Sequence, residues 1–176
     1  LIGCGMGITD DTKALTKWVI ENAECPVIID ADGLKCIADC IDIIEKAKHP
    51  VILTPHPGEM SYMTGKPVAE IQNSRLDTAA EFIQQHKNCI LVLKGAGTVT
   101  AASFSCALGT FSVSGDEGFA LADNDSFSQH GRAEIFVNTS GNPGMSCGGS
   151  GDVLAGIIAA DTAKIKNSDA FNVAVS

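Results

Sequence analysis

The sequence has few basic residues and no basic stripe. It sets 12 Lys and Arg against 21 Asp and Glu, a formal net charge of −9. A surface of that sign repels a phosphate backbone and an anionic bilayer, so nucleic acid and membrane surfaces are excluded as partners. No apolar run reaches the roughly 20 residues of a membrane-spanning helix. No basic segment leads into an apolar one at the first residues, so no secretory signal is expected. C-x-x-C pairs are missing too. The seven cysteines are odd in number, and Cys36 and Cys40 fall about one helical turn apart. This pattern suits buried, reduced thiols of a cytoplasmic protein better than a metal centre or a disulfide framework. Three chemical signatures are also absent. No Lys-Ser/Thr follows the glycines near the carboxyl end, so there is no Walker A loop. Ile8 takes Gly3-x-Gly5-x-Gly7 out of the dinucleotide fingerprint, and H-E-x-x-H does not occur.

What is present suits one ordinary domain: 176 residues, of which 45% are hydrophobic, are enough for a real core and too apolar for disorder. Short stretches that are apolar throughout read as buried strands: PVIID ending at Asp30, Val51–Thr54, and CILVL at 89–93. Amphipathic helices are predicted between them. One is capped by Thr9 or Asp10 and runs to about Glu24, with Leu15, Trp18 and Val19 as its apolar face. Another covers 33–47, with Leu34, Ile37, Ala38, Ile41 and Ile44 on one side. A short helix follows Pro57, and a longer one runs from Val68 to about Lys87. This alternation predicts an α/β layered fold, a mostly parallel central sheet with helices on both faces. Residues 1–176 are expected to form a single domain cut at both ends, since Leu1-Ile2 reads as the tail of a strand and 168–176 as part of a helix. The polar stretch 104–134 breaks the rhythm and reads as a loop or hairpin insertion, with a strand returning at Ile135–Asn138.

Five polar clusters follow a strand or open a helix, which would gather them on the sheet edge where α/β ligands bind. The densest is GNPGMSCGGSGD at 141–152, ahead of the apolar run Val153–Ala160. Gly148, Gly149 and Gly151 leave backbone N–H groups bare at a helix start, which suits an anion. Asp152 stands in that anion site and could serve as a general base on a hydroxyl beside a phosphoryl group; alternatively it caps a glycine-rich turn. Lys94-Gly95-Ala96-Gly97-Thr98 offers a charge, two close-approach glycines and a hydroxyl to a nucleotide, or is a tight turn with a solvated lysine. In Thr54–Glu59, prolines fix the backbone on both sides of His56, and Glu59 falls in the first turn of the next helix. Either residue could contact ligand or be structural. Asp30 and Asp32 could face the ligand or hold Mg²⁺-bound water, with helix capping by Asp32 the equal reading. Gly3, Gly5 and Gly7 form a further backbone-approach loop.

Together, DADGL (30–34), LTPHPGEM (53–60), LKGAGTV (93–99) and GNPGMSCGGSGDVLAGIIA (141–159) closely resemble the ADP/ATP-dependent NAD(P)H-hydrate dehydratase family, which has the ribokinase-like fold. The resemblance covers most of the chain outside 104–134, and its last motif is the most specific. It implies metabolite repair: a nucleotide phosphorylates the hydroxyl of hydrated NADH or NADPH, and loss of phosphate restores the ring double bond. HPGE and KGAGT resemble the bacterial type, which generally uses ADP. Carried over by motif, Asp152 is the general base, and Gly148, Gly149 and Gly151 stabilise the transferring phosphoryl oxygens. Lys94, Gly95, Ala96, Gly97, Thr98 and Gly151 hold the nucleotide, while Gly7, His56 and Asp152 contact the hydrate. Gly5, Asp30, Asp32, Glu59 and Asn142 are further candidates. Mg²⁺ and ADP or ATP are the implied cofactor and co-substrate, small molecules the implied partners, and a homo-oligomer remains an option. Cys4 and Met6 depart from the family's usual Pro and Leu, and Ser146-Cys147 from its usual Ala-Thr. A small-molecule kinase of the same fold and a non-catalytic nucleotide-binding protein are the competing readings.

Overall fold

A computed structural model describes residues 1–103, 133–140, 144 and 147–164. The cluster residue Asn142 and nearly all of the 104–134 insertion lie outside the described residues. Five strands form one sheet in the order of the chain: β1 (Val27–Ile29), β2 (Val51–Leu53), β3 (Cys89–Leu93), β4 (Thr98–Ser103) and β5 (Ala133–Asn138). The first three pair in parallel, with Val27 opposite Val51 and Val51 opposite Cys89. Ile2 extends this parallel part by a bridge to Ile29. β4 and β5 are antiparallel to their neighbours, so the expected α/β layered architecture holds and the sheet changes direction after β3.

The all-apolar strands are buried on both faces because helices cover both. On one face lie α1 (Asp10–Asn22), α2 (Asp32–Ile37), a 3₁₀ segment (Ala38–Lys46), α3 (Pro57–Thr64), α4 (Val68–Asn73) and α5 (Arg75–Gln85). Ile20, Leu34, Ile37, Ile44, Met60, Ile71 and Ile83 project from them onto Ile29, Leu53 and Leu91. Each such side chain removed from water stabilises the fold by about 1.5–3 kcal/mol before entropy is counted. On the other face, α6 (Ser150–Thr162) brings Leu154, Ile158 and Ala159 onto Ile28, Ile52, Ile90, Val92 and Phe136. Among the described residues no helix is long and apolar enough to cross a membrane.

Three helices differ from the pattern reading. α1 is rotated about its axis: Thr16 and Ile20 are buried, whereas Leu15 and Trp18 are 49% and 63% exposed. Thr16 can face the core because its hydroxyl donates to the Thr12 carbonyl at 2.8 Å. The helix expected over 33–47 is α-helical only to Ile37, then continues as 3₁₀ turns broken at Cys40, whose φ is −148°. β-Branched Ile41, Ile43 and Ile44 disfavour a regular helix there. The long helix from Val68 divides at Ser74, whose extended φ of −133° ends α4 and starts α5.

Candidate functional site

The carboxyl ends of the parallel strands bring the clusters together. Asp30 leaves β1 buried, with 1% of its surface exposed. Its Oδ1 accepts from Lys94 Nζ at 2.7 Å, across 64 positions of chain. Glu59 Oε2 stands 3.8 Å from the same Nζ. Lys94 is therefore not solvated. It is held between two buried carboxylates, and its backbone N–H donates to the Pro55 carbonyl at 2.8 Å. The KGAGT segment is a hairpin turn between β3 and β4, with φ of 146° at Gly95 and 65° at Gly97. The Thr98 hydroxyl donates within that turn, to the Gly95 carbonyl at 3.0 Å.

His56 caps α3. Its Nδ1 accepts from the N–H groups of Gly58 and Glu59 at 3.0 and 3.1 Å, and Glu59 Oε2 returns to the His56 N–H at 2.8 Å. This is a capping box with imidazole in place of a hydroxyl, followed by Pro57 at the first helical position. An Nδ1 that accepts leaves the ring proton on Nε2, which lies 3.3 Å from Glu59 Oε1. His56 and Glu59 thus form one structural unit whose imidazole still faces solvent.

Asp32 does not cap α2; the N-cap is Ala31, which makes no side-chain cap hydrogen bond. Asp32 instead accepts from the Gly7 N–H at 2.9 Å and stands 3.8 Å from Lys35 Nζ. Ala31 has a φ of 50°, a strained value for a residue with a Cβ. That kink sends Asp30 inward to Lys94 and Asp32 outward to the glycine loop. The loop is seated by a contact that the motif reading missed. A Cβ on Gly3 would stand 1.8 Å from the Asp30 carbonyl oxygen, and one on Gly33 would stand 3.0 Å from Gly3 Cα. Among the described residues nothing stands within 4 Å of the Cβ positions of Gly5 and Gly7.

α6 completes the site. It starts at Ser150, with Gly149 as N-cap in the left-handed region at φ 87° and no side-chain cap. Asp152 lies in the first turn and is exposed. The adjacent Gly151 faces Lys94: its Cβ would lie 3.2 Å from Nζ. Among the described residues nothing stands within 4 Å of a Cβ on Gly148. Cys4 reaches the same spot from the glycine loop. Its Sγ lies 3.9 Å from Asp30 Oδ2, and one ligand atom each from Cys4, Asp30 and Asp152 falls within 4.8 Å of the others. Crowding by neighbouring atoms, a hydrogen bond to Asp152 and the charges of Asp30 and Asp152 raise the Cys4 thiol to about 11. Cys4, Cys25 and Cys147 are free thiols and exposed rather than buried.

The assembled edge is a run of neighbours: Gly7 beside Asp32, Asp30 beside Lys94, Lys94 near Glu59, Glu59 beside His56, the bare face of Gly151 toward Lys94, and Cys4 near Asp30 and Asp152. It sets bare backbone N–H groups at a helix start beside a lysine and an exposed carboxylate. That arrangement can receive a phosphate and take a proton from a hydroxyl next to it.

Comparison with known proteins points the same way. A family model described as NAD(P)H-hydrate dehydratase matches residues 1–114. A bifunctional NAD(P)H-hydrate repair enzyme of Thermofilum pendens is 40% identical over 159 residues, 90% of this chain and 25% of that protein. The ADP-dependent (S)-NAD(P)H-hydrate dehydratase of Bacillus subtilis is 34% identical over 157 residues, 89% of this chain and 44% of that protein. The crystal structure of the ADP/ATP-dependent dehydratase from Bacillus subtilis, co-crystallized with ATP/Mg²⁺, superposes with a TM-score of 0.67 at 29% identity, over 99% of this chain and 50% of that one. The chain thus spans half or less of the length of these relatives.

Proposed function

The chain belongs to the NAD(P)H-hydrate dehydratase family, and from that premise we propose that its site repairs hydrated NADH and NADPH by nucleotide-dependent dehydration. ADP is the expected phosphoryl donor and ATP the alternative. The supporting observation is Asp152 beside Gly151, with Lys94 Nζ against the bare face of that glycine.

In this reading Gly148, Gly149 and Gly151 present backbone N–H groups to the transferring phosphoryl oxygens, aided by the partial positive charge of the α6 N-terminus. The turn Lys94–Thr98 holds the nucleotide through its backbone, while Lys94 Nζ fixes the Asp30 and Glu59 side chains. Gly7 and His56 bound the hydrate on the side opposite the nucleotide, and Gly5 and Asp32 border the same space. Asp152 takes the hydroxyl proton as the oxygen attacks the terminal phosphorus, and the nucleotide leaves one phosphate shorter. The carbon–oxygen bond of the ester then breaks, and phosphate departs with the bonding pair. A proton is lost from the neighbouring ring carbon as the double bond returns.

Mg²⁺ fits the donor set. A hard cation takes oxygen ligands, which Asp30 and Asp152 supply within 4.8 Å of each other, and leaves the Cys4 thiol aside. These two carboxylates would hold it, and it would neutralise charge on the phosphoryl oxygens. Exposed free thiols at Cys4, Cys25 and Cys147 suit a reducing compartment, and the proposal includes the cytoplasm.

The test incubates the chain with hydrated NADH, Mg²⁺ and ADP or ATP, and follows the absorbance of the reduced nicotinamide. Recovery that is abolished in Asp152→Asn is the expected result. No recovery with either nucleotide overturns the proposal.

A further inference from the structure

Among the described side chains of the site, no cation is left free for a phosphate. Lys94 Nζ is occupied by Asp30 and Glu59, and Asp152 adds a third carboxylate nearby. With one cation against three carboxylates, the phosphates depend on the α6 N–H groups, on the Mg²⁺ of the proposed function and on any further cation at hand. Such a cation lies behind the Lys94–Thr98 turn, on a residue that no motif marks.

Arg75 opens α5 against that turn. Its Nη2 donates to the Leu93 carbonyl at 2.7 Å, at the end of β3. A Cβ on Gly95 would collide with Nη1, so only a glycine leaves the guanidinium its place against the turn. Nε is buried and has no hydrogen-bond partner. Among the described residues no carboxylate stands within 4.0 Å of the guanidinium; the Asp and Glu side chains near the turn are engaged with Lys94 instead. Loss of water alone pushes the Arg75 pKa below the ordinary arginine value, with no acidic neighbour opposing it. A guanidinium partly withdrawn from water with no counter-ion gains when an anion arrives.

We infer that Arg75 is a positioning residue for the nucleotide phosphates: it fixes the shape of the Lys94–Thr98 turn through Leu93 and Gly95, and gives that turn its positive charge. The inference rests on the nucleotide-binding part of the proposed function. It predicts that the contribution of Arg75 grows with the number of phosphates on the ligand, whereas a purely structural prop would affect all ligands alike.

The experiment is calorimetric titration of the full chain with ADP, AMP and adenosine in Mg²⁺ buffer, for the wild type, Arg75→Met and Arg75→Lys. Arg75→Met is expected to lose at least tenfold in ADP affinity, less in AMP affinity and under twofold in adenosine affinity. Arg75→Lys should recover part of the ADP loss, because it keeps the charge but loses the Nη2 bond to the Leu93 carbonyl. If Arg75→Met does not fold, the same phosphate ordering is read from Arg75→Lys alone. Equal losses for all three ligands, or ADP affinity within twofold of wild type, overturns the inference and leaves the proposed function standing. A wild-type chain that binds no ADP overturns both.

Discussion

The two walls of the site are built on opposite principles. The wall of Asp30, Glu59 and Lys94 is buried and internally paired: two carboxylates 1% and 5% exposed share one ammonium. The wall of Gly148–Asp152 is open, with bare backbone, an uncapped helix start and an exposed carboxylate. The first wall commits most of its charge to holding shape, and the second gives up stabilising contacts to stay receptive. The charged residue a sequence reader would assign to the ligand, Lys94, therefore does the work of a strut.

The comparison is tested most severely by Lys94→Met, which strands two buried carboxylates. We expect a loss of about 3–5 kcal/mol in unfolding free energy, read by urea denaturation, together with loss of turnover. A variant as stable as wild type would mean that the first wall is not held by its charges. Asp152→Asn probes the other wall. Turnover should fall by about 10²–10⁴-fold while the melting temperature stays at the wild-type value; a large drop in melting temperature would make Asp152 structural. Gly149→Ala should cost about 1–2 kcal/mol, because φ of 87° is unfavourable once a Cβ is present. Gly148→Ala, with open space and no left-handed φ, should leave stability unchanged. Equal costs at the two positions would contradict the backbone geometry at the α6 start.

The smallest effect is at Cys4, where the walls meet. With its thiol raised to about 11, only about one molecule in a thousand carries the thiolate at pH 8. Raising a thiol's pKa removes nucleophile below that value, so alkylation by iodoacetamide in metal-free buffer should be slow at pH 8. It should climb about tenfold per pH unit up to pH 11. Asp152→Asn removes one acceptor charge, lowers the Cys4 pKa and speeds the reaction at pH 8. Mass spectrometry of the Cys4 peptide reads both; a fast reaction at pH 8 in the wild type would place the thiol away from Asp30 and Asp152.

The strands were legible because residues buried on both faces leave a continuous apolar run, as in CILVL and VIL. The gathering of five loop clusters followed from parallel strand direction alone. Helix faces were less legible: a threonine that satisfies its own hydroxyl can replace an apolar residue in the core, as Thr16 does where Leu15 and Trp18 were expected. Side-chain partners were least legible. Whether Lys94 meets solvent or Asp30, and whether Asp32 caps a helix or holds Gly7, depends on one backbone kink at Ala31, which alanine does not announce. Gly33 and Arg75 carried no signal either, since their role lies in how closely another segment approaches.

The Asp30–Lys94 pair also bears on the order in which the molecule folds. The β3–β4 hairpin, with the Lys94–Thr98 turn, joins neighbours in sequence and can form early. The ion pair closes a loop of 64 residues, and the approach of Gly151 to Lys94 closes another of similar length. Contacts of such long range carry a large closure entropy and form late. The Lys94–Thr98 turn would therefore exist as local structure before the carboxylate wall beside it is assembled, and the chain gains a complete site only when its most distant segments have met.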